Sequence, residues 1–148
     1  MSAPRTQAAL DRLVAWYETL TPETLARVAE FYAHDAQFKD PFNEVSGRAA
    51  IERVFEQLFK TTDAPRFRIV SRLAGEDEAF VTWIFTFRAL RRAFELRGAT
   101  HLLFDARGQV FVHRDYWDAA EELYAKLPVI GALLRVLGRK LRAPQKSS

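Results

Sequence analysis

The residues best suited to chemistry lie in one stretch, THLLFDARGQVFVHRDYW, at residues 100–117. This stretch contains two histidines, His101 and His113, and one aspartate, Asp115. A carboxylate can orient and charge an imidazole, whose ordinary pKa lies near neutrality, so the two groups together can act as an acid–base dyad. Such groups are also costly to bury unless they are paired. We therefore take His101 and Asp115 as the first candidates for a catalytic pair, with His113 as a neighbour that contacts substrate.

Whether these groups meet depends on the hairpin between the last two predicted strands. If DARG forms its turn, the numbers of paired residues sum to 213 or 214. At 214, His101 lies opposite His113 and diagonal to Asp115, whereas at 213 His101 leaves that face. The alternative role is structural, either a plain hydrogen bond or an ion pair of Asp115 with Arg88 or Arg97.

A second carboxylate, Asp40, ends a short strand-like run and is followed at once by Pro41. At the rim of a pocket it would serve as a base, and Asn43 would assist it by hydrogen bonding. Carboxylates before proline are also ordinary turn initiators, so both interpretations stay open.

Four aromatic residues are candidates for the walls of a pocket: Trp16, Tyr17, Trp83 and Trp117. They suit a flat apolar ligand, although aromatic residues at such spacing also form plain core. Of the four, Tyr17 and Trp117 are the ones we expect to face a cavity, with Tyr17 as a hydrogen-bond donor.

Helical patterns occupy the first part of the chain. Apolar residues recur at helical spacing over residues 5–20, and a second helix is predicted from Pro22 to about Ala33. After a short strand at residues 36–40, Ser46 can cap a third helix.

From residue 66 the period of the pattern changes from helical to alternating. Strands are predicted at residues 66–74, 78–90, 93–105 and 109–119, and the short turns between them indicate an antiparallel meander. The order of the elements predicts an α+β domain with three helices on one face of a curved sheet. Helices that do not fully close on such a sheet leave a cone-shaped cavity.

The composition bounds the class of protein. The chain has 148 residues and no cysteine, which fits one domain and excludes disulfides and thiolate metal sites. We predict no metal site from the remaining ligand types, because no third ligand lies close to His113 and Asp115. A leader sequence and a bilayer-spanning stretch are not evident, so a soluble cytoplasmic protein is expected.

The positive charge is concentrated at the C-terminal end. Six of the 22 basic residues and none of the 19 acidic ones follow residue 125, which leaves 16 basic and 19 acidic residues before it. Nucleic-acid binding is not expected, because basic residues are not interleaved across a domain face. We predict a domain at residues 1–118, an amphipathic basic helical extension at 119–142 and a disordered tail at 143–148.

Three stretches, FYAHDAQFKDPF, GRAAI and THLLFDARGQVFVHRDYW, occur in an order that resembles the nuclear transport factor 2-like superfamily. This superfamily includes ketosteroid isomerases, SnoaL-like cyclases and scytalone dehydratases. The resemblance covers about residues 8–118 and implies the conical α+β fold. It also implies that Asp40 stands where the isomerases have their general base.

The resemblance to the isomerases is incomplete at two other positions. The isomerase oxyanion tyrosine falls on Trp16, next to Tyr17, and the second aspartate falls near Thr100 or His101. Steroid isomerisation is therefore not implied. The SnoaL-like cyclases are more similar, since they carry a histidine and an aspartate on the last two strands, at a spacing comparable to His101 and Asp115.

The leading functional hypothesis is a cofactor-free enzyme that isomerises, cyclises or dehydrates an apolar small molecule. A non-catalytic carrier or sensor of a hydrophobic ligand is the second hypothesis, and a dimeric interaction domain without a sizeable pocket is the third. A homodimer through the apolar sheet is expected. The extension at residues 127–142 has three candidate partners, which are its own cavity, a dimer mate and an anionic membrane surface.

Overall fold

The computed structural model describes residues 2–118, 122, 136–137 and 139–144. The regular elements between residues 3 and 116 follow the predicted order of helices first and a sheet second. Their bounds are α1 (Ala3–Glu18), α2 (Val28–Phe31), β1 (Tyr32–Lys39), β2 (Glu44–Ser46), α3 (Arg48–Thr61), β3 (Asp63–Ala74), β4 (Glu78–Ala89), β5 (Arg92–Phe104) and β6 (Val110–Tyr116). The predicted α+β fold is confirmed.

The second helix is much shorter than its sequence pattern predicts. Thr21 and Thr24 exchange hydrogen bonds between side chain and backbone and so start a 3-10 turn that leads into α2. The chain then leaves the helix at Tyr32, which pairs with Val110 of β6. The predicted end at Ala33 is wrong because strand pairing overrides the helical spacing of the apolar residues.

Helix α3 begins after Gly47, not after a serine cap. Ser46 ends strand β2, and Gly47 occupies the N-cap position with a φ of 96°, in the left-handed region that glycine adopts without strain. The predicted capping role of Ser46 is therefore wrong, although the apolar face of the helix is placed as expected: Ile51, Val54 and Phe55 are buried.

The six strands form one sheet in the order β2-β1-β6-β5-β4-β3. Strands β3 to β6 form the predicted antiparallel meander. The predicted short strand, β1, joins it by pairing parallel to β6, and β2 pairs antiparallel to β1. Helix α1 contacts β3 and β4, and α3 contacts β1 and β3. We call the face of the sheet beneath these helices the inner face.

A bulge in β6 sets the register on which the candidate dyad depends. Phe104 pairs with Val110, but Leu103 pairs with Val112, so Phe111 is the extra residue. From Val112 to Tyr116 the numbers of paired residues sum to 215, so the predicted sums of 213 and 214 are wrong for this part of the strand. Because a shift of one residue exchanges the two faces of a strand, this bulge decides which histidine faces the core.

Gly98 allows a buried tryptophan to lie across the inner face. Gly98 pairs directly with Trp83, and a Cβ at residue 98 would overlap Cζ2 and Cη2 of the Trp83 ring. The glycine is thus required by the close approach of a side chain, since β4 and β5 pair here without a break.

We expect Gly98→Ala to lower the free energy of unfolding by about 1–3 kcal/mol, the usual cost of overpacking a core. Gly75→Ala is the matched control, because its Cβ would be in ordinary contact at 3.6 Å from Glu78. Urea unfolding of both variants measures the difference. Equal stabilities would show that the Trp83 ring moves aside at no cost.

Candidate functional site

The inner face of β6 carries a histidine and a carboxylate that touch each other. Nε2 of His113 lies 2.8 Å from Oδ1 of Asp115. The hydroxyl of Thr100, directly across the ladder on β5, donates to the same oxygen at 2.5 Å. His113 is buried, and 17% of the Asp115 side chain is exposed. Asp115 is therefore paired with His113, and not with the predicted His101.

Two tyrosine hydroxyls hold the other side of the His113 ring. The hydroxyl of Tyr32 lies 2.8 Å from Nδ1, and that of Tyr17 lies 3.2 Å from it. The two hydroxyls are also hydrogen-bonded to each other. Burial raises the pKa of both tyrosines far above the ordinary value, so both stay protonated.

The donors in this network give it a direction. An ionised carboxylate only accepts hydrogen bonds, so Nε2 of His113 carries a proton when Asp115 is ionised. Nε2 then donates to Asp115, while the two tyrosine hydroxyls hold Nδ1 on the other side of the ring. The tyrosines therefore fix the orientation of the ring and with it the bond to Asp115.

A second chain of donors reaches Asp115 from the sheet. The indole N–H of Trp83 donates to the hydroxyl of Thr100 at 2.8 Å, which leaves the hydroxyl proton for Asp115. Both chains end on Oδ1. Oδ1 is thus fixed by two donors, and Oδ2 accepts no hydrogen bond from the residues that the structure describes.

Asp115 lines a cavity of about 90 Å³ between the sheet and helix α3, which has room for several water molecules or a small organic ligand. Most of the described residues around it are aromatic or aliphatic, and three are polar. The lining residues are Phe38, Asp40, Phe42, Asn43, Val54, Phe55, Leu58, Phe67, Trp83, Phe85, Phe87, Leu96, Asp115, Trp117 and Leu141.

Asp40 lies at the same cavity and also forms a turn, so both predicted roles are compatible with its position. Its Oδ1 accepts the backbone N–H groups of Phe42 and Asn43 at 2.7 and 2.6 Å. Its Oδ2 accepts the side-chain amide of Asn43 at 3.2 Å. Burial, and then the charge of Asp115, raise the pKa of Asp40, and the hydrogen bonds oppose this rise only in part.

Asn43 also attaches the C-terminal segment, by which we mean residues 136–137 and 139–144. Its side chain accepts the N–H of Ala143 at 2.9 Å and donates to the carbonyl of Leu141 at 3.3 Å. Leu137 and Ala143 are buried, and Leu141 lines the cavity. The described part of the segment therefore packs on the protein's own cavity, one of the three predicted partners.

The predicted disordered tail starts too early, because Ala143 is part of this packing. Residues 145–148 lie outside the described residues. So does most of the predicted extension, residues 119–121, 123–135 and 138. No helix among the described residues is both long and apolar enough to cross a membrane.

We expect Leu141→Ala to lower the free energy of unfolding by about 1–2 kcal/mol, less than for a fully buried leucine because Leu141 is only partly buried. Lys140→Ala is the matched control, since the Lys140 side chain is exposed and only its carbonyl is bound, by Gln57. Chemical denaturation measures both. Equal effects would show that Leu141 does not close the cavity.

The predicted pairing of His101 with Asp115 is wrong. Because of the bulge at Phe111, His101 pairs with Arg114 on the outer face of the sheet. There its Nε2 lies 2.8 Å from Oε2 of Glu78, and its ring stacks on Phe80. Asp115 also forms none of the predicted ion pairs with Arg88 or Arg97.

Two of the predicted pocket aromatics do not line the cavity. Trp16 is core: it stacks on Phe31, and its N–H donates to the carbonyl of Thr24. The Tyr17 hydroxyl is directed at Tyr32 and His113, so it is not available to a substrate in the cavity. Trp83, Trp117, Asn43 and Asp40 are placed in the lining as predicted.

Tyr32 and Thr100 belong to the site and were not predicted as site residues. Tyr32 was assigned to the second helix, and a longer first strand would have placed it beside β6. Thr100 follows from the register alone, since it lies opposite Asp115. Among the described residues, no three His, Asp or Glu side chains are grouped closely enough to hold a metal ion.

The sequence and the fold resemble those of known proteins. The sequence profile of the SnoaL-like domain matches residues 13–113. No curated protein sequence matches the chain significantly. Similar solved structures include a hypothetical protein with a ketosteroid isomerase-like fold from Catenulispora acidiphila, in complex with trimethylamine (15% identity, TM-score 0.67, covering 80% of this chain and 90% of that one).

Two further solved structures are described as nuclear transport factor 2-like proteins of unknown function. The one from Exiguobacterium is 14% identical with a TM-score of 0.65, and covers 74% of this chain and 98% of its own. The one from Mesorhizobium loti is 15% identical with a TM-score of 0.63, and covers 78% and 93%. At these identities the likeness shows the fold.

Proposed function

Because this chain belongs to the SnoaL-like domain family, we propose that it is a cofactor-free enzyme that moves a proton on a small apolar molecule in the conical cavity. The reaction class is isomerisation, cyclisation or dehydration, in which a carbon-bound proton is removed. The observation that carries the proposal is the position of Asp115 at an apolar cavity, with Oδ1 fixed by His113 and Thr100 and Oδ2 without a hydrogen bond from any described residue.

Asp115 is the proton acceptor in this proposal, and His113 is a positioning residue. The His113 ring holds the carboxylate in one orientation through Nε2–H, and Tyr32 holds the ring. A base held in place before the substrate arrives needs no reorganisation during the reaction. The apolar walls exclude water, which would otherwise solvate the carboxylate and weaken it as a base.

Asp40 is the rival base. Its raised pKa makes its carboxylate a stronger proton acceptor than an ordinary aspartate. Both of its oxygens, however, already accept hydrogen bonds from residues 42 and 43. Geometry therefore favours Asp115, because its Oδ2 accepts no hydrogen bond from the described residues whereas both oxygens of Asp40 do.

The test is solvent deuterium exchange into small ketones and enones. The protein is incubated in D₂O with a panel of such carbon acids, and NMR follows the loss of the proton next to the carbonyl. We expect exchange above the buffer rate for at least one panel member. Exchange at the buffer rate for molecules that bind in the cavity would overturn the proposal.

A carrier or sensor of a small ligand is the second candidate, favoured by the scarcity of polar groups in the cavity. The trimethylamine complex of the Catenulispora acidiphila protein supports a small organic ligand for this fold. Binding without exchange would select the carrier. The third hypothesis, an interaction domain without a pocket, is disfavoured by the cavity itself.

A homodimer and a cytoplasmic location remain predictions. The outer face of the sheet exposes Leu73, Phe80 and Tyr116, which suits a second copy of the chain. We expect light scattering at tens of micromolar to give the mass of a dimer, and a monomer would contradict it. Peripheral membrane contact through residues 127–142 also remains a prediction, although Leu137 and Leu141 are occupied by the protein's own core.

A further inference from the structure

We infer that the ligand of the cavity is a small organic cation, an ammonium group with apolar substituents that lies against Asp40 and the rings of Phe42 and Trp117. The inference deepens the proposed function and rests on it for the identity of the site. The cation is the class of molecule on which Asp115 would act. Because the cation lies against Asp40, Asp115 can still serve as the base.

The first observation is uncompensated negative charge. Asp40 and Asp115 both line the cavity, and none of its described lining residues is Lys, Arg or His. The two carboxylates repel each other. Burial raises the pKa of Asp40 most, and the charge of Asp115 raises it further. His113 bonds Asp115 but does not line the cavity. A bound cation would remove the repulsion between the two carboxylates.

The two basic side chains of the adjoining surface groove have other partners. Lys39 and Arg114 border a surface groove that shares Asp40, Asp115 and Trp117 with the cavity. Lys39 lies 3.7 Å from Glu44, and the guanidinium of Arg114 lies over the ring of Tyr116 at 4.9 Å. Both have partners on the surface, and neither belongs to the described lining of the cavity. The shared groove also gives a ligand a route to the carboxylates.

The second observation is the aromatic wall. Eight of the fifteen described lining residues are Phe or Trp. Phe42 and Trp117 follow the two carboxylates by two residues each, and their rings meet edge to face with centroids 5.6 Å apart. Aromatic rings attract organic cations through their electron-rich faces, and the attraction grows when water is excluded. Carboxylates within aromatic walls suit an alkylammonium group.

The other common cations fit the cavity less well. A metal ion needs several oxygen ligands and retains water, whereas the free oxygens here are few and the walls apolar. A guanidinium is best bound by two parallel hydrogen bonds to one carboxylate. Among the described residues, Oδ1 of Asp115 and both oxygens of Asp40 already accept hydrogen bonds, so neither carboxylate offers two open oxygens. A quaternary ammonium has no N–H and requires no directed hydrogen bonds, so it suits a cavity with few open acceptors and apolar walls.

The experiment compares choline with its neutral carbon isostere, 3,3-dimethylbutan-1-ol, by ligand-observed NMR titration of the full chain. We expect choline to bind at least about tenfold more tightly, the equivalent of about 1.4 kcal/mol. Asp40→Asn should remove that preference, and Trp117→Leu should weaken choline binding about fivefold. Glu78→Gln, which removes a carboxylate on the outer face, should leave both affinities unchanged.

Each other outcome overturns the inference. Equal binding of the two molecules, or no binding of choline at millimolar concentration, shows that the cavity does not select a cation. A preference for choline that survives both Asp40→Asn and Trp117→Leu places the cation elsewhere. None of these results bears on deuterium exchange into neutral ketones, so the proposed enzyme and the proposed cation can fail separately.

Discussion

Asp115→Asn lowers the rate of deuterium exchange by about two to four orders of magnitude and leaves the fold intact. Positioned acid–base groups commonly contribute this much to a rate. The asparagine carbonyl can still accept from His113 and Thr100, so the hydrogen-bond network keeps its acceptor. Its amide nitrogen takes the place of Oδ2 and cannot accept a proton. The measurement is the NMR exchange rate, with circular dichroism to confirm the fold.

Two control variants separate this prediction from its alternatives. Asp40→Asn should reduce exchange less than Asp115→Asn, because the oxygens of Asp40 are already engaged. Glu78→Gln should not change exchange, since Glu78 lies on the outer face beside His101. A larger loss for Asp40→Asn would make Asp40 the base. A loss of stability with no exchange in the parent would assign Asp115 a structural role.

His113→Phe lowers the free energy of unfolding by about 3 kcal/mol. The phenyl ring keeps much of the packing against Phe38 but removes both nitrogens. Tyr32 then loses its acceptor, and Asp115 loses one of its two donors. Buried polar groups left without partners cost about 1–3 kcal/mol each.

His101→Phe is the matched control, because the same exchange is made on the other face of the sheet. His101 and its partner Glu78 are partly exposed, and such pairs contribute less than about 1 kcal/mol. Urea denaturation at neutral pH measures both variants. Similar losses for the two would contradict the assignment of His113 as the buried member of the network.

The sequence was sufficient to predict the architecture, because the helical and the alternating spacing of its apolar residues are both clear. Helical spacing up to Phe59 and alternation from residue 66 predicted the helices and the meander in the correct order. The prediction of the second helix was wrong at Tyr32 and Ala33, where the spacing of apolar residues suits a helix or a strand. Only pairing with β6, about 80 residues away, decides in favour of a strand.

The sequence predicted the location of the site and its two carboxylates, but not the hydrogen bonds that connect them to their neighbours. Asp115, Asp40, Asn43, Trp83 and Trp117 were expected at the cavity, and all five line it. The predicted partner of Asp115, His101, was wrong because one bulged residue, Phe111, shifts the register of β6. A bulge depends on how the whole strand packs, and the turn sequence DARG does not encode it.

The C-terminal segment shows the same limit of local patterns. Its apolar stripe predicted a partner surface, and the sequence could not choose among three. The choice at residues 141 and 143 is made by one side chain, Asn43, whose amide bonds the backbone at both positions. Such a contact between distant parts of the chain leaves no trace in spacing or composition.

The central claim is that Asp115 is an ionised proton acceptor held by the Nε2–H of His113, and nitrogen NMR of the labelled histidine ring tests it most directly. We predict a proton on Nε2, the nitrogen that lies 2.8 Å from Asp115. A proton on Nδ1 alone would contradict the account. Nε2 would then be an acceptor, and Asp115 would have to be protonated to donate to it, which leaves no base at the cavity.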